Sequence, residues 1–147
     1  MNRNQCGVEG VFNRESISAA LMPAGVLGAS AVALGAWAAH GLEASHGRHA
    51  VELVETAVRY QLVHAVAVCT AVALSFHLGG KPLAARWIEV ATWLFVSGSV
   101  LFGGALHLLA FGAPRWLGMV APVGGLALIA GWLALALGGW LGLRSTD

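Results

Sequence analysis

Four long apolar stretches, separated by short polar breaks, dominate the pattern of residues along the chain. None of the four contains an Asp, Glu, Lys or Arg residue, and each is apolar on every side rather than along one helical stripe. Each is long enough for the roughly 20 residues that a helix needs to cross a hydrocarbon core about 30 Å thick. We therefore expect four transmembrane segments. They lie within residues 16–42, 60–80, 91–114 and 116–143.

The four segments are expected to be helices, because backbone groups in lipid must find hydrogen-bond partners inside the chain. A barrel would need ten-residue segments of alternating polarity, which the sequence lacks. Polar or Gly/Pro-rich breaks at 41–47, 79–82 and 112–115 separate the helices. We predict an all-α, integral membrane four-helix bundle of two antiparallel hairpins. The predicted spans are about 19–40, 55–78, 86–111 and 116–142.

Both ends of the chain lie outside this predicted domain, which covers residues 16–143. Residues 1–15 are polar and contain glycine, so we predict a flexible N-terminal segment, and residues 144–147 form a short tail. A cleaved signal peptide would have an apolar region of only about 7–15 residues. The first apolar run is longer, so we expect it to be retained as a membrane helix.

Composition supports a membrane protein and excludes nucleic acid as a partner. The 147-residue chain is 58% hydrophobic and only 10% charged, whereas soluble domains carry about 25% charged residues. The lipid bilayer is therefore the expected solvent and first partner. A net charge of +1 provides no basic footprint for nucleic acid. Two cysteines, Cys6 and Cys69, do not form a disulfide framework.

The distribution of cations predicts the orientation of the helices in the membrane. With four spans, both termini lie on one side, which would carry five Lys and Arg residues against three on the other side. Because Lys and Arg favour the cytoplasm, we predict that both termini are cytoplasmic. The five are Arg3, Arg14, Lys81, Arg86 and Arg144; the three are Arg48, Arg59 and Arg115.

Small residues spaced four apart recur inside the predicted spans. Helices in lipid associate by close packing, and pairs of small residues let their backbones approach. The same surfaces can pack the bundle internally or bind another subunit, and the sequence leaves both possibilities open. The pairs are Gly25 with Ala29, Ala31 with Gly35, Ser99 with Gly103, and Gly138 with Gly142.

Polar side chains inside the spans form a candidate ligand-binding set. Tyr60 and His64 are four residues apart and share a helix face, and Gln61 is adjacent to that face. His40 and His107 lie near the ends of the first and third spans, toward the same predicted surface. A metal, a quinone headgroup or a proton relay could use such groups. A hydrogen-bond network that sets helix register is the alternative that we favour.

No residue is assigned a catalytic or metal-binding role, and no cofactor is predicted. The sequence lacks HExxH and CxxC motifs, and no base lies near Ser97 or Ser99 in sequence. Pro122 and the glycines after it would loosen the start of the fourth helix. We therefore interpret the remaining conspicuous positions as helix-packing residues: Gly35, Ser97, Gly98, Ser99, Gly103, Pro122, Gly124, Gly125 and Gly131.

Several short motifs, in order, resemble those of one family. Leu34-Gly-Ala-Trp-Ala-Ala-His40-Gly41-Leu42 is similar to the LGAFGAHGL pattern of the YgdD/YwdK-like family of small membrane proteins. The other matching motifs are Tyr60-Gln61-Leu-Val-His64, Ser97-Gly98-Ser99, Pro122-Val-Gly124-Gly125 and Gly131-Trp132.

The resemblance covers about residues 24–135. It implies a four-span inner-membrane protein of bacteria and no established biochemical activity. One departure stands at Leu101, where the family pattern often has Tyr.

From these observations we expect a non-enzymatic membrane protein that acts by helix–helix association. It would be an accessory or assembly subunit, or a homo-oligomer, so its partners would be other membrane subunits or copies of itself. The alternative is a small transporter or a lipophilic-ligand-binding bundle with a His/Tyr/Gln polar site toward the outer leaflet.

Overall fold

The computed structural model describes residues 14–78 and 80–144, and all the regular secondary structure in those residues is helical. Five α-helices are joined by a turn at Ala20, a π-helical turn, a short loop that includes Gly80, and a second loop that leads into a 3₁₀ turn. The elements are α1 (Arg14–Ala19), α2 (Leu21–Trp37), the π-helix Ala38–Leu42, α3 (Glu43–His77), α4 (Pro82–Ala110), the 3₁₀-helix Arg115–Met119 and α5 (Val120–Arg144).

Three continuous helical runs in the described residues are long and apolar enough to cross a membrane, where the sequence predicted four spans. They are Glu15–His77, Pro82–Ala110 and Arg115–Arg144. The difference lies in the first run, whose 63 residues include the first predicted span and all but the last residue of the second. Helical apolar segments of membrane length are thus found, whereas the bundle of four helices in two hairpins is not established by this count.

A single residue interrupts the first run. Gly47 has φ 80° and ψ 170°, outside the helical region and readily accessible only to glycine. The sequence predicted a polar turn over residues 41–47, but His46 and the residues before it are helical. A helix pairs its own backbone N–H and C=O groups in hydrogen bonds, so polar residues at the end of a span can continue the helix. The helix is interrupted only where a residue such as Gly47 adopts non-helical dihedral angles.

The segments on either side of Gly47 pack against each other. A methyl group on Gly35 would lie 3.3 Å from Val58 Cγ1, and one on Gly28 would lie 4.0 Å from Ala65 Cβ. Residue numbers decrease along one segment as they increase along the other, so the two segments are antiparallel. Small residues at the contact bring α2 close to α3.

Both ends of α4 follow from local sequence. Pro82 takes the first helical position, where its missing N–H costs nothing. The helix ends at Ala110, and Gly112 follows with φ 84° in the turn toward α5. The helix begins at Pro82, four residues before the predicted start at 86. The reason is that a helix can extend beyond the hydrocarbon core of the membrane.

The closest helix packing joins α4 and α5 and has a seven-residue repeat on both sides. Glycines recur every seven residues along α5, and a large residue of α4 lies against each one. Matching seven-residue repeats keep two helices in contact over their length when they cross in a left-handed sense near +20°. The pairs are Gly124 with Phe102, Gly131 with Phe95, and Gly138 with Ile88.

These glycines cannot gain a side chain without moving α4. A methyl group on Gly131 would lie 2.7 Å from Phe95 Cε1, and one on Gly124 would lie 2.9 Å from Phe102 Cα. The second clash is with backbone, which cannot rotate away as a side chain can. Gly98 completes the contact from the α4 side, because a methyl group there would lie 2.6 Å from Leu128 Cδ2.

The main buried cluster lies between these helices and the N-terminal half of the chain. Ile17, Val68 and Phe95 are fully buried within it and come from α1, α3 and α4. A smaller cluster around Leu42 and Val54 lies near the Gly47 end. The predicted flexible segment 1–15 and tail 144–147 lie almost entirely outside the described residues.

Replacing Gly124 by Ala is expected to destabilise the protein by about 1–3 kcal/mol, the usual cost of forcing an extra methyl into a close contact. The measurement is the unfolding free energy in mixed micelles. Gly139→Ala is the matched control, since no atom lies within 4 Å of a methyl at that position of the same helix. It should be neutral or slightly stabilising through helix propensity. Equal effects of the two changes would contradict the packing described.

Candidate functional site

The middle of α3 presents three polar side chains in different directions. Gln61 and His64 are buried, with 5% and 4% of their surfaces exposed, whereas Tyr60 is 43% exposed. A three-residue separation on a helix places Gln61 and His64 on neighbouring parts of the buried face. Buried polar groups of this kind require hydrogen-bond partners inside the protein.

His64 uses both ring nitrogens in hydrogen bonds. Its Nδ1–H donates to the Tyr60 carbonyl oxygen at 2.8 Å, one helical turn earlier. The Trp132 Nε1–H donates to His64 Nε2 at 3.2 Å. Because a carbonyl only accepts and an indole N–H only donates, the ring is held as the neutral tautomer with its proton on Nδ1. This side chain therefore links α3 to α5 across 68 positions of sequence.

An aromatic cluster surrounds this histidine. His64 stacks on Tyr60 with ring centroids 6.1 Å apart, and Phe95 lies 5.5 Å away. Phe95 also contacts Trp132 edge to face at 5.0 Å, and Phe102 lies 4.6 Å from Tyr60. Phe95, which lies against Gly131 of α5, thus also contacts the His64 ring, and Phe102 extends the cluster through Tyr60.

Gln61 points toward α4 at a glycine. A methyl group on Gly103 would lie 3.0 Å from Gln61 Cγ, so a larger residue at 103 would require this side chain to shift. Gln61 Nε2 donates to Ser30 Oγ of α2 at 3.5 Å, a long hydrogen bond, and Ser30 Oγ donates to the Leu27 carbonyl at 3.0 Å. The amide therefore lies between three helices.

Three buried polar atoms have no hydrogen-bond partner among the described residues: Gln61 Oε1, Ser99 Oγ and His107 Nε2. Ser99, Gly103 and His107 follow at four-residue intervals on α4, and Gln61 contacts the middle one. Leaving such groups unpaired costs about 1–3 kcal/mol each. This polar layer is consequently the part of the core with unused hydrogen-bonding capacity.

His40 lies apart from this layer. It is exposed and belongs to the π-helix Ala38–Leu42. Within residues 14–78 and 80–144, no three His, Cys, Asp or Glu side chains converge closely enough to hold a metal ion. The five predicted ligand-binding residues thus fall into three groups. Tyr60 and His64 stack on each other, Gln61 and His107 belong to the polar layer, and His40 faces outward.

An apolar groove of about 490 Å³ lies next to His64, between α3 and α5. Trp132 forms part of its wall and connects it to the histidine. The groove opens to the outside of the helices, where lipid would contact it. The other wall residues are Leu62, Val63, Val66, Ala67, Thr70 and Leu135.

The residues interpreted as helix-packing positions occupy different surroundings. Ser97 is exposed and donates to the Trp93 carbonyl of its own helix at 2.8 Å, and Pro122 is also exposed. Gly125 approaches only the Phe102 ring edge, which would lie 3.9 Å from a methyl group at that position. Close contacts between helices or helical segments occur at Gly35, Gly98, Gly103, Gly124 and Gly131, and Ser99 is buried beside them.

Sequence reasoning did not identify Trp132, Phe95 or Ser30 as parts of the site. For Trp132 the sequence does contain a signal, because the residue belongs to the Gly131-Trp132 motif that resembles the family pattern. The only sequence signal for Phe95 is its seven-residue spacing from Phe102. That spacing indicates a helix contact only when it is compared with the same spacing of Gly124 and Gly131 on α5. Nothing local to Ser30 indicates that Gln61 would reach it.

The helices and the apolar outer surface define a helical integral membrane protein. The family described as "Protein of unknown function (DUF423)" matches residues 34–125. The chain belongs to this family.

Relatives that match are likewise described as membrane proteins. A UPF0382 membrane protein of Haemophilus influenzae is 41% identical over 107 residues, covering 73% of this chain and 82% of the relative. YwdK of Bacillus subtilis is 34% identical, covering 73% and 84%. The inner membrane protein YgdD of Escherichia coli is 33% identical, covering 80% and 86%. No solved structure matches the chain significantly.

A double-mutant cycle tests the His64–Trp132 hydrogen bond. Combining His64→Phe with Trp132→Phe should reveal a coupling of about 0.6 kcal/mol, the average for such bonds in membrane proteins, and at most about 1.7 kcal/mol. His77 is the control, because its Nδ1 also bonds the carbonyl four residues earlier but its side chain is exposed. His77→Phe should combine additively with Trp132→Phe. Zero coupling for His64 would contradict the bond.

Proposed function

We propose that the protein acts by helix–helix association in the membrane, as an accessory or assembly subunit or as a homo-oligomer, without catalysing a reaction. The observation that carries this proposal is the outward-facing pair Gly25 and Ala29 on α2. Both residues are exposed, and no atom lies within 4 Å of a methyl group on Gly25. A small-residue pair of this kind lets a second helix approach closely.

The other three small-residue pairs are used inside the chain. Gly35 contacts Val58, Gly103 contacts Gln61, and Gly138 contacts Ile88. Their partners Ala31, Ser99 and Gly142 are also buried. The Gly25/Ala29 pair differs from these because nothing within the described residues packs on it. Its exposed neighbours Met22 and Val26 would flank a partner helix.

Association should weaken when this face is filled. Gly25→Leu combined with Ala29→Leu is expected to reduce the association constant at least about tenfold, equivalent to about 1.4 kcal/mol of lost contact. Fluorescence energy transfer between labelled copies in vesicles measures self-association, and co-purification from native membranes in mild detergent measures binding to other subunits. The control is Gly139→Leu on α5, where nothing lies within 4 Å of a methyl. Unchanged association in the double variant, or equal loss in the control, would contradict the proposal.

We further propose that the chain crosses the membrane four times in two antiparallel hairpins, with both termini in the cytoplasm. The 63-residue run would be about 95 Å long as a straight helix, three times the thickness of the hydrocarbon core. The break at Gly47 and the antiparallel contacts across it support two crossings within this run.

Contacts at both ends of the helices support this arrangement. Trp37 stacks on Phe111 with centroids 5.4 Å apart, and His46 contacts both rings edge-on. These contacts bring the Gly47 region beside the end of α4. At the opposite end, Lys81 Nζ donates to the Gly142 carbonyl oxygen. The excess of Lys and Arg at that end favours a cytoplasmic location.

Labelling of single cysteines with a membrane-impermeant maleimide in intact cells tests the topology. In a Cys6→Ser, Cys69→Ser background, Ser45→Cys and Ala113→Cys should react from outside, and Gly80→Cys only after permeabilisation. Ala113 is preferable to its neighbour Gly112, whose positive φ disfavours any side chain. Reaction of Ser45→Cys and Ala113→Cys from opposite sides would contradict four crossings.

A second candidate function is binding of a lipophilic ligand. The 490 Å³ groove beside Trp132 favours it, because a groove with a mainly apolar wall suits the hydrocarbon part of a lipophilic molecule. Analysis of the molecules that co-purify with the protein in the association experiment distinguishes the two functions. A ligand-binding protein retains a stoichiometric lipophilic molecule whether or not the Gly25/Ala29 face is filled, whereas an association subunit loses its partner.

A further inference from the structure

A pocket of about 290 Å³ lies at the helix ends where α4 begins and α5 stops. Lys81 and Arg144 line it from the two helices, and Leu83 and Leu141 provide apolar wall. The pocket is distinct from the Gly25/Ala29 face and from the groove beside His64. Its position at the ends of two membrane-length helices corresponds to the membrane–water interface.

A backbone contact holds the first cation in place. Lys81 Nζ donates to the carbonyl oxygen of Gly142, two residues before Arg144. An ammonium group has three donors, so this bond leaves two for another acceptor. It also keeps the lysine charge beside the last turn of α5. Lys81 precedes Pro82 at the start of α4 and makes no side-chain bond that caps the helix.

Stacking on an aromatic ring orients the second cation. The Arg144 guanidinium carbon lies 4.0 Å over the Trp140 ring centroid. In this geometry the face of the guanidinium contacts the ring, while its N–H donors lie at the edge. Trp140 itself is 47% exposed, as expected for an aromatic anchor at the interface.

Both charged residues among the described lining of the pocket are cations. None of the described lining residues is a carboxylate. At the Gly47 end, by contrast, Arg48 lies 3.7 Å from Glu52. Two cations that line one pocket and are held by separate contacts, with no carboxylate among the described lining residues, favour an anion in the pocket. The apolar wall indicates that this anion carries a hydrocarbon portion.

We propose that this pocket binds the phosphate of an anionic phospholipid. Lys81 and Arg144 donate to the phosphate oxygens, and the acyl chains extend into the bilayer along Leu83 and Leu141. A cationic pocket between transmembrane helices is a recognised form of lipid headgroup site. This site does not depend on the association proposed above, since no described lining residue belongs to α2, the helix that carries Gly25 and Ala29.

Native mass spectrometry of the purified full-length protein tests this proposal. Titration with phosphatidylglycerol and with phosphatidylcholine of the same acyl chains compares an anionic headgroup with a neutral one. Phosphatidylglycerol should bind more tightly. Arg144→Gln and Lys81→Gln should each weaken that binding about fivefold, the factor expected for one cation near an anionic surface. Lys81→Arg should retain the preference.

Arg86→Gln is the matched control, because Arg86 is exposed on the same end of α4 but does not line the pocket. It should leave the preference unchanged. Equal binding of the two lipids, or an equal loss in Arg86→Gln, would overturn the site. If inorganic phosphate displaces phosphatidylglycerol at equal concentration, the ligand is a free phosphate and the lipid assignment is wrong. If Lys81→Gln does not fold, Arg144→Gln decides the outcome alone.

Discussion

The close approach of α4 and α5 is the constraint on which most of the described structure depends. Lipid gives no hydrophobic drive for two apolar helices to associate, so contact must come from shape. Gly124, Gly131 and Gly138 provide that shape by removing side chains where α4 presents Phe102, Phe95 and Ile88. Any one of these contacts is weak, but a seven-residue repeat aligns all three along the helices. The packing therefore extends along most of the two helices.

The buried polar groups depend on this geometry. Trp132 follows Gly131 directly, so the position of that glycine against Phe95 also sets how far the indole extends toward His64. A wider helix separation would lengthen the 3.2 Å bond and leave the imidazole nitrogen unpaired inside the membrane. The same logic holds at Gly103, where the absence of a side chain admits Gln61. Glycines thus determine both the helix contacts and the arrangement of the polar layer.

Sequence predicted the features that depend on a single segment. Apolar runs identified membrane-length helices, and the motifs identified Gly98, Gly124 and Gly131, which prove to be contact points. Sequence did not predict pairings between segments, such as Trp132 with His64, because a hydrogen bond over 68 positions follows from helix packing and not from local pattern. The sequence predicts a turn over residues 41–47, whereas the structure breaks the helix only at Gly47. Polar residues mark where the chain leaves the membrane, but the helix is interrupted only where glycine permits a positive φ. The sequence relates His40 to the other histidines only by its depth in the membrane, and depth does not specify a helix face.

The most direct test of the α4–α5 packing is disulfide cross-linking in native membranes. A methyl group on Gly98 would lie 2.9 Å from Leu128 Cγ, so cysteines at these two positions should be close enough to bond when Leu128 is shortened. In a background lacking Cys6 and Cys69, Gly98→Cys with Leu128→Cys should oxidise rapidly. Gly98→Cys with Ile129→Cys should not, since Ile129 is 58% exposed on the outer face. Faster cross-linking of the second pair would contradict the register and the glycine contacts that define it.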